Sequence, residues 1–312
     1  ECDPFRASRY LCEAIGQRTS SILGLSFNLD ATDSRLRPTR GRNLSLTAQY
    51  AGLGGSVEYL SIRGRAGQYF PLGSGFVFSL TAEGGAIRGF RDEDGDGTND
   101  VRLTDRYFLG SPQIRGFDIR GVGPRVLRRP IITGEDGNPV TVTERDRIQD
   151  DAIGGTAYYL GRAELDIPLG SGARSLGLRP SVFVDIGAVF NVEDPVLIQN
   201  PFGSERFFPE RNADGVPLYF NNQGTPQDAT DDVTLAIPDG QDIPPGFIAL
   251  GQGSNAFEEV FLGDTPSPRI SVGVGVNWNS PFGPFRIDLA YALKKVEGDD
   301  TKLFSFNVGT QF

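Results

Sequence analysis

Two arginines, Arg115 and Arg120, stand in a stretch made largely of residues that constrain or specialise the backbone. Phe108-Leu-Gly-Ser-Pro-Gln-Ile-Arg-Gly-Phe-Asp-Ile-Arg-Gly-Val-Gly-Pro124 crowds Gly110, Gly116, Gly121 and Gly123 with Pro112 and Pro124, and it shows neither a helical nor a strand period. Glycine permits tight or left-handed turns and proline fixes φ, so the composition describes a loop held in one conformation. A guanidinium in such a loop needs a carboxylate within reach or must remain in water. On composition alone two readings stand, an ordinary surface loop and a loop that delivers its arginine to a partner.

A second group with chemistry in it is Asp92-Glu-Asp-Gly-Asp-Gly-Thr-Asn-Asp100. Asp92, Asp94, Asp96, a glycine at the sixth place and Asp100 fit the first half of a calcium loop, whose hard oxygen ligands alternate along the chain. The acid required at the twelfth place is Leu103, and no helices flank the stretch. A solvated acidic turn is therefore the competing reading. Cys2 and Cys12, close together in a polar stretch, read as a local disulfide of an oxidising compartment or as two free thiols. Otherwise the inventory excludes much. There is no histidine, and Lys294, Lys295 and Lys302 are the only lysines. Histidine triads and histidine metal sites are impossible, and general acid–base work would fall to carboxylates, tyrosines and those lysines. An enzyme is the least supported class, and no cofactor is expected. A formal charge of −10 with no basic stripe argues against nucleic acid. With no methionine and no visible signal peptide, the sequence reads as a processed piece of a longer chain.

The elements that must position these groups alternate with period two. Leu23, Leu25, Phe27 and Leu29 face one way within Ile22–Asp30, opposite Gly24, Ser26 and Asn28. The same pattern recurs over Asn43–Tyr50, Val57–Phe70, Phe76–Gly84, Ala157–Ile167, Ser181–Phe190, Ile270–Asn279, Phe285–Lys294 and Leu303–Phe312, which makes nine strands and no helix of any length. Short turns are expected near 31–42, 71–75, 168–180 and 280–284, a further turn at Gly52–Ser56, and long connections at 86–153 and 192–268. The second of these is rich in acids, Pro, Asn and Gly. No apolar run reaches the ~20 residues of a membrane helix, but strands of a membrane barrel need only ~10 alternating residues. The polar faces carry charge in mid-strand (Arg63, Arg162, Glu164, Asp185, Arg286, Asp288), which a dry sandwich core would not hold unpaired. Tyr50, Tyr159, Trp278 and Phe312 stand toward strand ends on the apolar faces, as interfacial aromatics do. The expected fold is all-β, a transmembrane antiparallel β-barrel domain spanning 1–312, with a soluble β-sandwich as the alternative.

Ile114-Arg115-Gly116-Phe117 followed by Gly123-Pro124 resembles the arginine–glycine–aromatic motif of the outer membrane protein 85 superfamily. Phe304-Ser-Phe-Asn-Val-Gly-Thr-Gln-Phe312 is similar to the superfamily's closing strand, through Phe304, Phe306, Val308, Gly309 and Phe312. Arg37-Pro-Thr-Arg-Gly41, Ala51-Gly-Leu-Gly-Gly55, Ile153-Gly-Gly-Thr156, Asp185-Ile-Gly187 and Asn279-Ser-Pro-Phe-Gly-Pro284 match in order, nearly end to end. The resemblance implies strands eight to sixteen of a sixteen-stranded barrel, without the first seven strands and the periplasmic POTRA domains. It implies that 86–153 is an extracellular loop entering the lumen, where Arg115, Gly116 and Phe117 latch onto Glu164 and Asp185, and that 192–268 is an acidic extracellular insertion. The competing reading of the two acids is that they merely line a wet lumen.

The function so implied is that of an outer-membrane assembly factor, which folds and inserts barrel proteins by templating on an edge strand at a lateral seam. Its partners would be unfolded outer-membrane proteins, assembly-complex lipoproteins reached through the POTRA domains, and outer-membrane lipid. A secretion pore of the two-partner or translocation type, within the same superfamily, is the alternative, and a soluble adhesin the more distant one.

Overall fold

The computed structural model describes residues 10, 17–35, 37–91, 101–134, 138–170, 177–200, 212, 215–221, 233–238, 241–249, 256–280 and 283–308. The expected calcium loop (Asp92, Asp94, Asp96, Asp100), Cys2 and Cys12, and Gly309 and Phe312 lie outside the described residues.

The nine alternating segments form one antiparallel sheet in which each strand pairs with the next of the nine. They are β1 (Ser20–Thr32), β2 (Gly41–Gly55), β3 (Tyr59–Gly73), β4 (Phe76–Gly89), β5 (Ala157–Asp166), β6 (Leu178–Phe190), β7 (Arg269–Ser280), β8 (Gly283–Lys294) and β9 (Phe304–Val308). Several strands outrun the alternation. β2 continues through the expected turn at Gly52–Ser56 as far as Gly55, and β4 reaches Gly89 rather than ending near 85. The reason is composition: glycine and alanine at 51–55 and 84–86 leave no apolar–polar contrast to read.

The sheet's two faces are inverted relative to a water-soluble protein. Leu25 is 78% exposed, Tyr291 64% and Val308 60%, all at apolar positions, while Asp185 on the opposite face is 0% exposed. Exposed large apolar side chains continue across β1–β4 and β6–β9, a far larger patch than a soluble sheet leaves to water. The polar face is the one covered. That distribution excludes the sandwich alternative and fits a wall with lipid outside and a polar interior.

Aromatic pairs mark two levels on the apolar face. Tyr50 lies 6.5 Å from Phe90 and Tyr159 6.4 Å from Phe190, at the strand ends that lead into the long connections. Phe70 stacks on Phe78 at 6.2 Å, and Trp278, Phe285 and Phe306 form a row at 5.7 and 5.8 Å, at the opposite ends. Tyr50 pairs with Leu60, and Phe70 follows further along β3. At ~3.3 Å per residue and ~40° of tilt, the interval from 60 to 70 spans about 25 Å, the height of a membrane barrel's apolar band.

The turn between β1 and β2 is organised by Asp33. Its carboxylate accepts the Thr39 amide at 2.8 Å, the Arg40 amide at 3.0 Å and the Thr39 hydroxyl at 2.5 Å. The Thr39 hydroxyl first, then the two amides, lower the carboxyl to about 2. A depressed carboxyl contributes order above the ordinary aspartate range, and that order is lost as pH falls through about 2. We expect amide protection at Thr39 and Arg40 to hold at about pH 5 and to collapse toward about pH 2, with Asp33→Ala unprotected at both. Protection that stays level over that range would refute the assignment.

The chain divides into two compact units, residues 1–126, 150–195 and 261–312, and residues 127–149 and 196–260, where the sequence reading expected one domain with two long loops. The second unit contains short strands not anticipated in either long connection. Gln199–Asn200 pairs with Phe257 and Glu258, Pro139–Thr141 pairs with 131–133, and Leu218–Asn221 lies between Val233–Ala236 and Ile248–Ala249. Glu259, 3% exposed, accepts Arg128 at 2.8 Å and the Ile198 amide at 2.8 Å within this unit. Gln199–Asn200, Pro139–Thr141, Leu218–Asn221, Val233–Ala236 and Ile248–Ala249 are two to four residues long, too short to show a period.

Candidate functional site

The loop 108–124 folds back on itself before it meets the sheet. Its Ile114 amide donates to the Gly110 carbonyl at 3.0 Å, and the Ser111 and Gly121 amides share the Asp118 carbonyl at 3.2 and 2.9 Å. Ile114 and Phe117, both 0% exposed, flank Arg115 and join a cluster with Leu109, Val122, Tyr107 and Val189. At Gly116 the chain takes φ +87°, and a Cβ there would lie 3.1 Å from the Ser271 Cβ on β7. The motif needs glycine twice over, for the backbone angle and for the approach to the wall.

Arg115, 1% exposed, uses every part of its fork. Nε and Nη2 donate to the two oxygens of Asp185 at 2.7 and 2.6 Å, and the Arg115 backbone amide adds a third bond to Asp185 at 3.0 Å. Nη1 donates to Glu164 at 3.0 Å. The guanidinium carbon stands 3.2 Å from the centre of the Phe183 ring. Bidentate pairing with ring stacking is what arginine does and lysine cannot. Burial alone would depress the arginine's pKa, but the hydrogen bonds and charge of Asp185, with Glu164 and Asp288, hold it above the ordinary value.

Arg115, Gly116, Phe117, Glu164 and Asp185 are thus brought together. The site also holds residues that sequence reading left out. Arg162 reaches Asp185 at 3.1 Å and the Gln113 carbonyl at 2.9 Å, so it grips the loop from the wall. Arg286 bridges Glu164 at 2.9 Å and Asp288 at 2.8 Å, and Ser181 donates to Glu164 at 2.6 Å. Arg115, Arg162 and Arg286 stand against Glu164, Asp185 and Asp288, and the group is formally neutral. Neutrality with full hydrogen bonding is the condition under which charges can sit away from water.

Strand register assembles this group. Arg162 lies opposite Asp185, Glu164 opposite Phe183, Phe183 opposite Gly273, and Gly275 opposite Asp288. Gly275 has no side chain where one would strike the Asp288 carboxylate and come within 3.0 Å of Arg286 Nη2, so these two can lie flat across β7 toward Glu164. One signal for the missed members was present: Phe183 is a large apolar residue at a polar-face position of β6. The closing strand shows the expected polarity, with Phe304, Phe306 and Val308 on the exposed apolar face.

The family model described as the Omp85 superfamily domain matches residues 4–312. The outer membrane protein assembly factor BamA of Neorickettsia risticii is 27% identical over 298 residues, which are 95% of this chain and 28% of that protein. The sorting and assembly machinery component 50 homolog of Bos taurus is 27% identical over 183 residues, covering 57% of this chain and 33% of that protein. The chain therefore spans about a third or less of these relatives. Among solved structures, BamA from Haemophilus ducreyi lacking POTRA domains 1–3 superposes with a TM-score of 0.55 over 91% of this chain and 41% of that one, at 22% identity, and shares the fold.

Proposed function

We propose a function on one established fact: this chain belongs to the Omp85 superfamily. It is an outer-membrane β-barrel segment, and the reading best supported is the barrel portion of an assembly factor that folds and inserts β-barrel proteins into the outer membrane. The Neorickettsia risticii and Bos taurus relatives carry assembly names, which supports that role at the level of the family. In this reading the clients are unfolded outer-membrane proteins, the accessory partners are the lipoproteins of the assembly complex, and outer-membrane lipid is the surrounding medium. No covalent bond is made or broken, so the activity is not an enzyme's.

The observation that carries the reading is the match of nearly the whole chain to a family whose relatives carry assembly names. Ile114, Arg115 and Phe117 fill the space on the polar side of the wall. An insertase leaves that space closed and works at its rim. In this reading β9 offers its amides and carbonyls to an incoming strand. The test is reconstitution of the full-length protein in lipid vesicles with an unfolded barrel client. Faster appearance of heat-modifiable, protease-resistant client is expected. Transfer of a soluble passenger into the vesicle, with no gain in client folding, would favour the secretion pore instead.

A further inference from the structure

A second buried arginine lies one strand away from the latch. Arg269, at the start of β7, is 0% exposed, and so is the side chain of its partner Asp299 in the connection between β8 and β9. Arg269 Nε meets the Asp299 carboxylate at 3.0 Å, and its remaining donors reach the carbonyls of Gly263 at 2.8 Å, Thr265 at 2.8 Å and Ser267 at 3.1 Å. Asp299 in turn accepts the Val296 amide at 2.7 Å and the Gly123 amide, from the end of the latch loop, at 3.4 Å. A carboxylate this deeply buried is tolerable only with its guanidinium in place.

The segment after Asp299 is stitched to the latch loop link by link. The Asp118 amide donates to the Asp300 carbonyl at 3.0 Å, the Asp300 amide to the Gly121 carbonyl at 2.8 Å, and the Lys302 amide to the Gly116 carbonyl at 3.1 Å. Phe117 and Thr301 form a bridge, and Lys302 Nζ meets Asp118 at 3.2 Å. β9 begins directly afterwards. It has one sheet neighbour among the described residues, through five Cα pairs from Leu289↔Phe304 to Phe285↔Val308. The loop therefore helps to hold the entry to β9 through backbone bonds as well as through the pair of Lys302 and Asp118.

We propose that Arg269 and Asp299 are positioning residues that join the Arg115 latch to the closing strand, so that release of the loop frees the start of β9. The inference deepens the edge-templating reading above and rests on it for its biological sense, while its physical content, a coupling between loop and strand, can be tested separately. Hydrogen–deuterium exchange on the full-length protein in outer-membrane vesicles provides the test, with Asp299→Asn, Arg115→Lys and their double variant. Asp299→Asn should raise exchange at 300–308 about tenfold or more while the pairing of β5 with β6 stays protected. Arg115→Lys, whose side-chain hydrogen bonds run to β5 and β6, should raise exchange at the same residues, and the double variant should do little more than the larger single, as expected of two members of one network. If either variant fails to assemble, Arg269→Lys, which keeps the charge and loses the fork, takes its place. Exchange at 300–308 that stays at the parent level when 110–124 is loosened overturns the coupling. If exchange rises as expected yet client folding by the same variants is unchanged, the coupling stands and the edge-templating function falls.

Discussion

Arg115→Ala should lower the stability of the sheet by about 3–5 kcal/mol, the usual cost of removing one partner from a buried, hydrogen-bonded charge group. Without the Arg115 side chain, Asp185 keeps Arg162 but loses two donors, and Glu164 keeps Arg286 and Ser181. The wall is left with three carboxylates facing two guanidinium groups, in a space from which the loop also excludes water. The loop loses its centre, so 108–124 should become cleavable by added protease and the full-length protein should lose heat-modifiability at a lower temperature. Arg115→Lys should fall between, since an ammonium keeps the charge but not the two-pronged bond to Asp185 or the stack on Phe183. The comparison that isolates burial is Lys302→Ala. Its pair with Asp118 has the same formal charges, but the side chains are 47% and 38% exposed, and such a pair is worth at most about 1 kcal/mol. Equal protease resistance in Arg115→Ala and the parent would mean that the loop is held without the Arg115 fork.

The parts of this arrangement that could be read from the residues are those with a period. β1 to β9 are legible because Leu, Val, Ile and Phe alternate with polar residues over stretches long enough to count, and because mid-strand charge on the polar side is incompatible with a dry core. Glu164 and Asp185 could be singled out as facing that side. Their roles in the network could not, because Arg286 and Asp288 reach Glu164 only through the pairing of β7 with β6, whose intervening connection runs from 191 to 268 and has no period of its own. Arg269 and Asp299 were invisible for a different reason. Asp299 sits in Glu297-Gly-Asp-Asp300, a run that reads as a solvated turn, and only the tertiary fold shows that one of its acids is turned inward. The glycines behave in the same way. Those of the loop announce a special backbone, whereas Gly273 and Gly275 look like ordinary weak points in a strand until their neighbours are known.

Gly273→Ala should therefore disturb the latch from the wall on which it seats, by about 1–3 kcal/mol, the range for forcing an extra methyl into a packed interior. The added Cβ would press on the Leu289 carbonyl oxygen, lie 2.9 Å from the Ala290 Cα and lie 2.6 Å from Phe183 Cζ. Two of these contacts are backbone atoms of β8, held by strand pairing, so they cannot retreat cheaply. Phe183 can move, but only by tilting away from the position in which its ring lies under the Arg115 guanidinium. The methyl should thus act on the loop through the ring: protease sensitivity of 108–124 should rise although no charged residue has changed. Phe183→Leu placed in the Gly273→Ala background should relieve the ring contact and leave the carbonyl contact, recovering part of the stability. It should recover none of the loop protection, because the face on which the guanidinium stacks is then gone. If Gly273→Ala is neutral by both measures, the wall yields more than packed strands ordinarily do, and the ring is not what seats Arg115.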